Sequence, residues 1–302
     1  MSRKRKRLAY TRAVALTLGG DKTYSQRMRL LLAALLILVP AFAHGEPIRL
    51  TRITHIYGIT PDPADPAKVL IATDRGFFVA GPDGNAEQLS TEGTAFQAFA
   101  PVPNGTFLVT GAAGQSPRVS RDFGKAWDPV SPTGTFPGPF LVLEASPVDP
   151  LTVWGATGTT IYRSMDAGRT WAEVGPAPAP VVDLAATDIN RDTAFLGTAR
   201  GLFRTGDGGK TWTQVAVEGA TRASPLVATI DGNTYAFVTS IGLVQLSPDG
   251  KAWSVVAPAS AFDGALLHLT ARSSGRAYAV TQYMKILVSD DLGRTWSPFN
   301  PP

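Results

Sequence analysis

From about residue 46 onward, apolar residues gather in short β-type runs cut by Gly, Pro, Asp and Asn, and no stretch there keeps a helical period. The runs fall into groups of four. Each group reads as an inner strand, a polar turn, a second strand ending in Thr or Ser, a third strand opening on Gly or an apolar residue, a marked turn, and a fourth strand. One unit runs 141–143, 153–157, 161–164 and 171–174; the next runs 181–186, 193–198, 201–204 and 212–215. The first unit shows 56–60, 69–73 and 76–79, and three others begin near Ala95, Pro225 and Ala261. Six such units use the chain from about residue 53 to its end. Residues 47–52 are left over, and the expectation is that they pair with the edge of the last unit as a clasp, covering free edge groups.

The marked turn is Ser164-Met165-Asp166-Ala167-Gly168-Arg169-Thr170-Trp171, and the pattern Ser/Thr-x-Asp-x-Gly-x-x-Trp returns at Ser120–Trp127, Thr205–Trp212 and Ser289–Trp296. A copy one residue short runs from Ser247 through Asp249 to Trp253, and Gly81-Pro82-Asp83-Gly84 keeps the turn without a Trp. The aspartates at 122, 166, 207, 249 and 291 are spaced by 44, 41, 42 and 42 residues, the period of a four-stranded propeller blade. The pattern resembles the Asp-box, or bacterial neuraminidase repeat, which implies an all-β, six-bladed β-propeller of four-stranded antiparallel blades. Asp122, Asp166, Asp207, Asp249 and Asp291, with Trp127, Trp171, Trp212, Trp253 and Trp296, are then structural. The carboxylate accepts turn N–H groups, Gly takes positive φ, and the indole packs back between strands, away from the central channel.

Charge changes the picture at the start of the chain. The sequence carries 28 Lys/Arg and 24 Asp/Glu, but residues 1–30 hold nine of the former and one of the latter, so the remainder is net acidic. The folded part therefore gives no reason to expect nucleic acid as a partner. Residues 30–39 are uniformly apolar and lead to Pro40 and Ala41-Phe42-Ala43, the pattern of a secretory signal peptide whose apolar core is short for a bilayer. Residues 1–43 are accordingly expected to be a leader, with residues 1–27 open to being a mis-chosen start and an uncleaved anchor as the alternative. Residues 44–302 are expected to form one propeller, monomeric, periplasmic or secreted, and without an integral membrane segment. The chain has no cysteine, which excludes disulfides, thiolate metal sites and a Cys nucleophile.

Candidate chemistry is sparse. The Asp-box resemblance invites comparison with sialidases, whose site implies three arginines, a Tyr–Glu pair and an acid/base Asp. Here Ile48-Arg49-Leu50-Thr51-Arg52-Ile53 lacks the Phe and Pro of their first-arginine motif, and Arg272 and Tyr283 form no recognisable set. Glycosidases need two carboxylates across a cleft. Glu144, Asp183 and Asp263 are the candidates on or near inner strands, and nothing in the sequence pairs them. Trp154 is the one tryptophan outside the repeat markers, so aromatic platforms for sugars are few.

The runs 161–171 and 202–212 are similar to the photosystem II stability/assembly factor type of propeller. The opening His55-Ile56-Tyr57-Gly58, with Asp62-Pro63 and Asp65-Pro66, is similar to small exported glycosyl-hydrolase-like propellers. In that second group a His stands where Tyr57 stands here, which removes a His-based metal site from expectation.

His55 and His268 fall on the expected inner strands of the first and last units, neighbours in a closed ring. The ligand site expected from sequence is therefore this junction: His55, Tyr57, His268 and Arg272, with Arg52 from the leading strand. These groups suit a small anionic ligand, while buried histidines bonded to backbone between blades are the alternative. Taken together, the expected role is a noncatalytic binding or assembly module for a protein or small anionic ligand, with no cofactor or metal. A sialidase-like glycoside hydrolase is the alternative. Mass spectrometry of protein from the exported fraction should show a chain beginning at His44; residues 1–43 retained on a membrane-bound species would overturn the leader.

Overall fold

The computed structural model describes residues 46–302 except 91–95, 103–104, 112–115, 131–135, 221–225, 231–232, 248–250, 272–274 and 301–302. The expected leader, Asp249 and Arg272 lie outside these residues. The rest forms six antiparallel sheets. The first blade is β2 (Ile56–Pro61), β3 (Val69–Thr73), β4 (Gly76–Ala80) and β5 (Asn85–Gln88). Blades two and three are β6–β9, starting at Ala98, and β10–β13, starting at Val142. Blades four, five and six are β14–β17, β18–β21 and β22–β25, starting at Val181, Leu226 and Leu266. Within each blade the strands pair in sequence order, as the four-run pattern requires. The inner strands β2, β6, β10, β14, β18 and β22 each contact the next, and β22 contacts β2, so the ring closes.

Every turn at the repeat marker joins the third and fourth strands of its blade. In the third blade Ser164 Oγ donates to Asp166 Oδ1 at 2.9 Å and accepts from the Gly168 N–H at 2.8 Å. Asp166 in turn accepts from the Thr170 N–H and hydroxyl, both at 2.7 Å. Asp207 and Asp291 repeat the arrangement with Thr211 and Thr295. For Asp207 the Thr211 hydroxyl, and for Asp291 the Thr295 N–H, is the main bond holding the carboxyl down at about 2. These carboxylates accept hydrogen bonds from within their own turns, which favours the ionised form.

The turn is also the joint between blades. Gly124 has φ 87°, and a Cβ there would stand 2.2 Å from the ring of Phe77 on the preceding blade. Gly293 has φ 85°, and its Cβ would stand 2.8 Å from Leu243, again one blade back. The tryptophan beside each turn enters the same joint. Trp127 packs with Phe77, Phe96 and Phe99 between blades one and two, and Trp171 packs with Phe140 between blades two and three. Trp212, Trp253 and Trp296 follow suit at the next three joints. Trp154 is not a spare platform: it is fully buried between blades three and four, with Arg163 4.7 Å above its ring.

The sixth joint, between the last blade and the first, has no marker tryptophan because the Gly81–Gly84 turn lacks one. Leu50 and Ile53 from the leading segment fill it, packed with Tyr278, Ile286 and Phe299. The expected clasp is corrected here. β1 (Ile48–Arg49) pairs with β5 of the first blade, Ile48 opposite Ala86, and the Leu50 N–H bonds Gly84 O at 2.9 Å. The outer strand of the last blade is only β25 (Ser297–Pro298), and its proline has no N–H to donate. The leading segment therefore bonds to one blade and packs its side chains against the other. Trp127→Ala should cost about 3–5 kcal/mol, more than Trp171→Ala because Trp127 is the more deeply buried, and Asp166→Ala about 1–3 kcal/mol; chemical denaturation checks the order.

Candidate functional site

The inner strands enclose a cavity of about 450 Å³ on the ring axis, with contributions from all six blades. Strand alternation decides what it sees. On β10, Leu143 and Ala145 are buried in the blade joint while Val142 and Glu144 are partly exposed and line the cavity. On β2, β14 and β22 the register shifts near the start of the strand, across Tyr57, Val182 and Leu267 respectively. Each shift is a bulge that turns its residue toward the channel. Val182 and Leu267 are 43% and 38% exposed, and Leu141, just ahead of β10, is 59% exposed. Because the blades repeat one strand order around the ring, the starts of the inner strands share one face, so these three apolar side chains form its rim.

Glu144 and Asp183 face the cavity from adjacent blades. This corrects the sequence expectation that nothing pairs them: the ring brings β10 against β14, although 39 residues separate the two carboxylates. Burial pushes the Glu144 carboxyl up to about 8, the nearby Asp183 charge adds to the rise, and the Ala186 N–H opposes it. At neutral pH the pair therefore holds a proton. Asp263, the third carboxylate expected here, is an exposed partner of Lys285 and does not line the channel.

On the far side, blades six and one contribute His268 and Tyr57. His268 Nε2 lies 2.9 Å from the Ile56 carbonyl, which can only accept, so Nε2 carries the hydrogen. Burial lowers its basicity, partly offset by that bond, and the imidazole is held neutral as a tie across the closing joint. His55 is exposed, just ahead of β2 and not on it, and stacks on Tyr57 with ring centroids 6.1 Å apart. Arg52 is exposed in the turn Leu50–Arg52 and is not part of the lining, while Arg49 donates to the Asp83 carbonyl at 3.2 Å. Tyr283, 60% exposed between β23 and β24, also lies away from the channel. Of the five expected ligand residues the fold brings Tyr57 and His268 to the cavity, with His55 stacked beside Tyr57. A small anionic ligand would meet two carboxylates there, and no lysine or arginine among the described lining residues. Among the described residues no group of three or more His, Cys, Asp or Glu gathers to hold a metal ion, and no helix is long and apolar enough to cross a membrane.

No protein-family model and no curated protein sequence matches the chain. Solved structures do share its fold. A structure of YCF48 bound to a D1 peptide is 18% identical, with 84% of this chain and 83% of that one covered and a TM-score of 0.53. Virginiamycin B lyase from Staphylococcus aureus is 15% identical over 85% and 88% of the two chains, TM-score 0.56. A GH74 xyloglucanase from Xanthomonas campestris is 16% identical, TM-score 0.51, with 84% of this chain matching 46% of that one. At these identities the likeness is one of fold. The class is thus a six-bladed, all-β propeller, and its structural neighbours include a peptide-bound protein and enzymes alike.

The Glu144 carboxyl sets a pH signature. Its folded value lies above the ordinary 4.5, so the native state retains the proton that the unfolded chain releases between these limits. Its contribution to stability is therefore present below pH 4.5 and lost as pH rises through about 8. Glu144→Gln should flatten that decline, so the melting temperature of the variant should gain on the native protein from pH 5 to 8.5; parallel curves would show that Glu144 ionises freely.

Proposed function

We propose that this chain is an exported, noncatalytic propeller that binds or assembles a protein partner, receiving it on the face where the inner strands begin. The observation that carries this reading is the rim of Leu141, Val182 and Leu267, large apolar side chains left in solvent around a cavity of about 450 Å³. Exposed apolar groups clustered at a channel mouth mark contact surfaces. The fold neighbour solved with a D1 peptide lends support, as does the employment of the repeat aspartates in their own turns. The leader residues 1–43 support export to the periplasm or medium.

One observation favours a second reading, glycoside hydrolysis: Glu144, protonated beside Asp183, has the form of a general acid next to a carboxylate. Arg49 and Arg52, bonded elsewhere or in solvent, speak against its sialidase-like version. A photo-crosslinking residue placed at Leu141 or Leu267 in the producing cell should trap a protein adduct that the same residue at exposed Val255, on the outer strand of blade five, does not. Adducts at Val255 alone, or turnover of aryl glycosides lost in Glu144→Gln, would replace the binding module with the alternative.

A further inference from the structure

The joint between blades two and three differs from the one that follows it. At the joint of blades three and four, Arg163, the residue before the marker serine, reaches across to the next blade, where it pairs with Asp192 at 2.7 Å and donates to the Arg191 carbonyl. The residue before the marker serine of blade two is Val119. The counterpart of Asp192 in blade three is Leu151: its carbonyl accepts from the Ala167 N–H of the marker turn at 2.9 Å, as the Asp192 carbonyl accepts from the Gly208 N–H at 2.9 Å. An ion pair across one joint is thus an apolar pair across the other. There a groove of about 480 Å³ lies open between the blades, walled by Val102, Leu108, Val119, Val130 and Val153, with Leu151 at its edge 54% exposed. Val148 and Met165, also exposed, carry the apolar surface onward over the same two turns of blade three. These turns lie where the inner strands end, so the groove opens on the face opposite the rim of Leu141, Val182 and Leu267.

Two arginines stand at this groove, one from each blade. Arg121 of blade two holds Asp128 at 3.4 Å with both side chains exposed, and such a pair contributes little. Arg169 of blade three is exposed, and among the described residues its side chain makes no ion pair or hydrogen bond. The acid in the wall, Asp166, already accepts from the Ser164 hydroxyl and from the N–H and hydroxyl of Thr170. We infer that the groove is a second contact site, taking an extended segment of a partner protein in which a large apolar residue neighbours a glutamate or aspartate. The apolar side chain enters between Val119 and Leu151, and the carboxylate meets the guanidinium of Arg169, with Arg121 on the other blade. Charge complementarity selects the acid: a guanidinium offers a carboxylate a fixed fork of donors, whereas a basic neighbour would face two like charges. A segment suits the site better than a small carboxylic acid, because Val148 and Met165 extend the apolar surface beyond the groove itself.

The test uses capped, fluorescently labelled peptides with a central glutamate between leucines, and counterparts carrying glutamine or lysine in its place. Binding to the full chain is measured by anisotropy near neutral pH. The glutamate peptide should bind at least about tenfold tighter than the glutamine peptide, the scale of a hydrogen-bonded charge pair. Arg169→Gln, a change to an exposed side chain, should erase that preference with the melting temperature retained, while Leu151→Ser should weaken both peptides alike. Val119→Arg combined with Leu151→Asp, which copies the ion pair of the next joint, should close the groove and abolish binding. If that double variant does not fold, Arg169→Gln and Leu151→Ser decide. Equal binding of the glutamate and glutamine peptides, preference for lysine, or no binding of any peptide would overturn the inference and leave the rim on the other face untouched. A glutamate preference that survives Arg169→Gln but is lost in Leu267→Ser would assign the peptide to the rim, and would overturn the groove while supporting the binding module.

Discussion

The structure depends on how each blade is seated against the one before it. At four of the joints the turn glycine makes the contact, and at Gly124 and Gly293 the distance leaves no room for a Cβ, so the marker motif fixes the spacing between blades as well as the hairpin within one. The two roles share atoms. Ser120 and its counterparts hold the glycine N–H, the aspartate holds the following N–H groups, and the left-handed backbone that results lets the glycine approach the neighbouring blade. Residues 123, 167 and 292 adopt positive φ without being glycine, and the turn bonds hold them there. A polar network at the periphery thereby organises apolar packing deeper in the ring.

Six such joints must add to a full circle, and the last is built differently. Without a tryptophan at the Gly81–Gly84 turn, the space is filled by Leu50 and Ile53, which arrive from a segment bonded to the outer edge of blade one. Two further bonds cross the same joint, His268 to the Ile56 carbonyl and the Tyr278 hydroxyl to the Pro66 carbonyl, each spanning 212 residues. Closure thus rests on side chains from both ends of the propeller sequence, a long-range requirement unlike the local turns elsewhere.

The channel inherits its chemistry from this frame. Bulges at the start of three inner strands aim Tyr57, Val182 and Leu267 inward, and the blade joints bring Glu144 beside Asp183. A buried acid next to another is costly in an apolar wall and is relieved by protonation or by a cation. Stability resides in the perimeter turns and the joints between blades, and of the polar groups on the axis His268 alone is shown tying the closing joint.

Much of the fold was legible in the residues themselves. The period of the aspartates counted the blades, and the alternation of short apolar runs placed strands such as Val181–Ala186 and Val69–Thr73, because a turn with its own donors and acceptors is decided within eight residues. The site was less legible. Glu144, Asp183 and His268 could be named as inner-strand polar residues, yet which of them meet depends on ring order and on bulges that shift facing by one position. Asp263 read the same way and Arg52 was expected from the leading strand, yet both ended in solvent, one paired with Lys285 and the other in a short turn. The sequence by itself determined the repeat, its turns and the number of blades, since those interactions are local. Only the tertiary structure decided the closing joint and the pairing of carboxylates, since both join residues that contact one another only after the ring has closed.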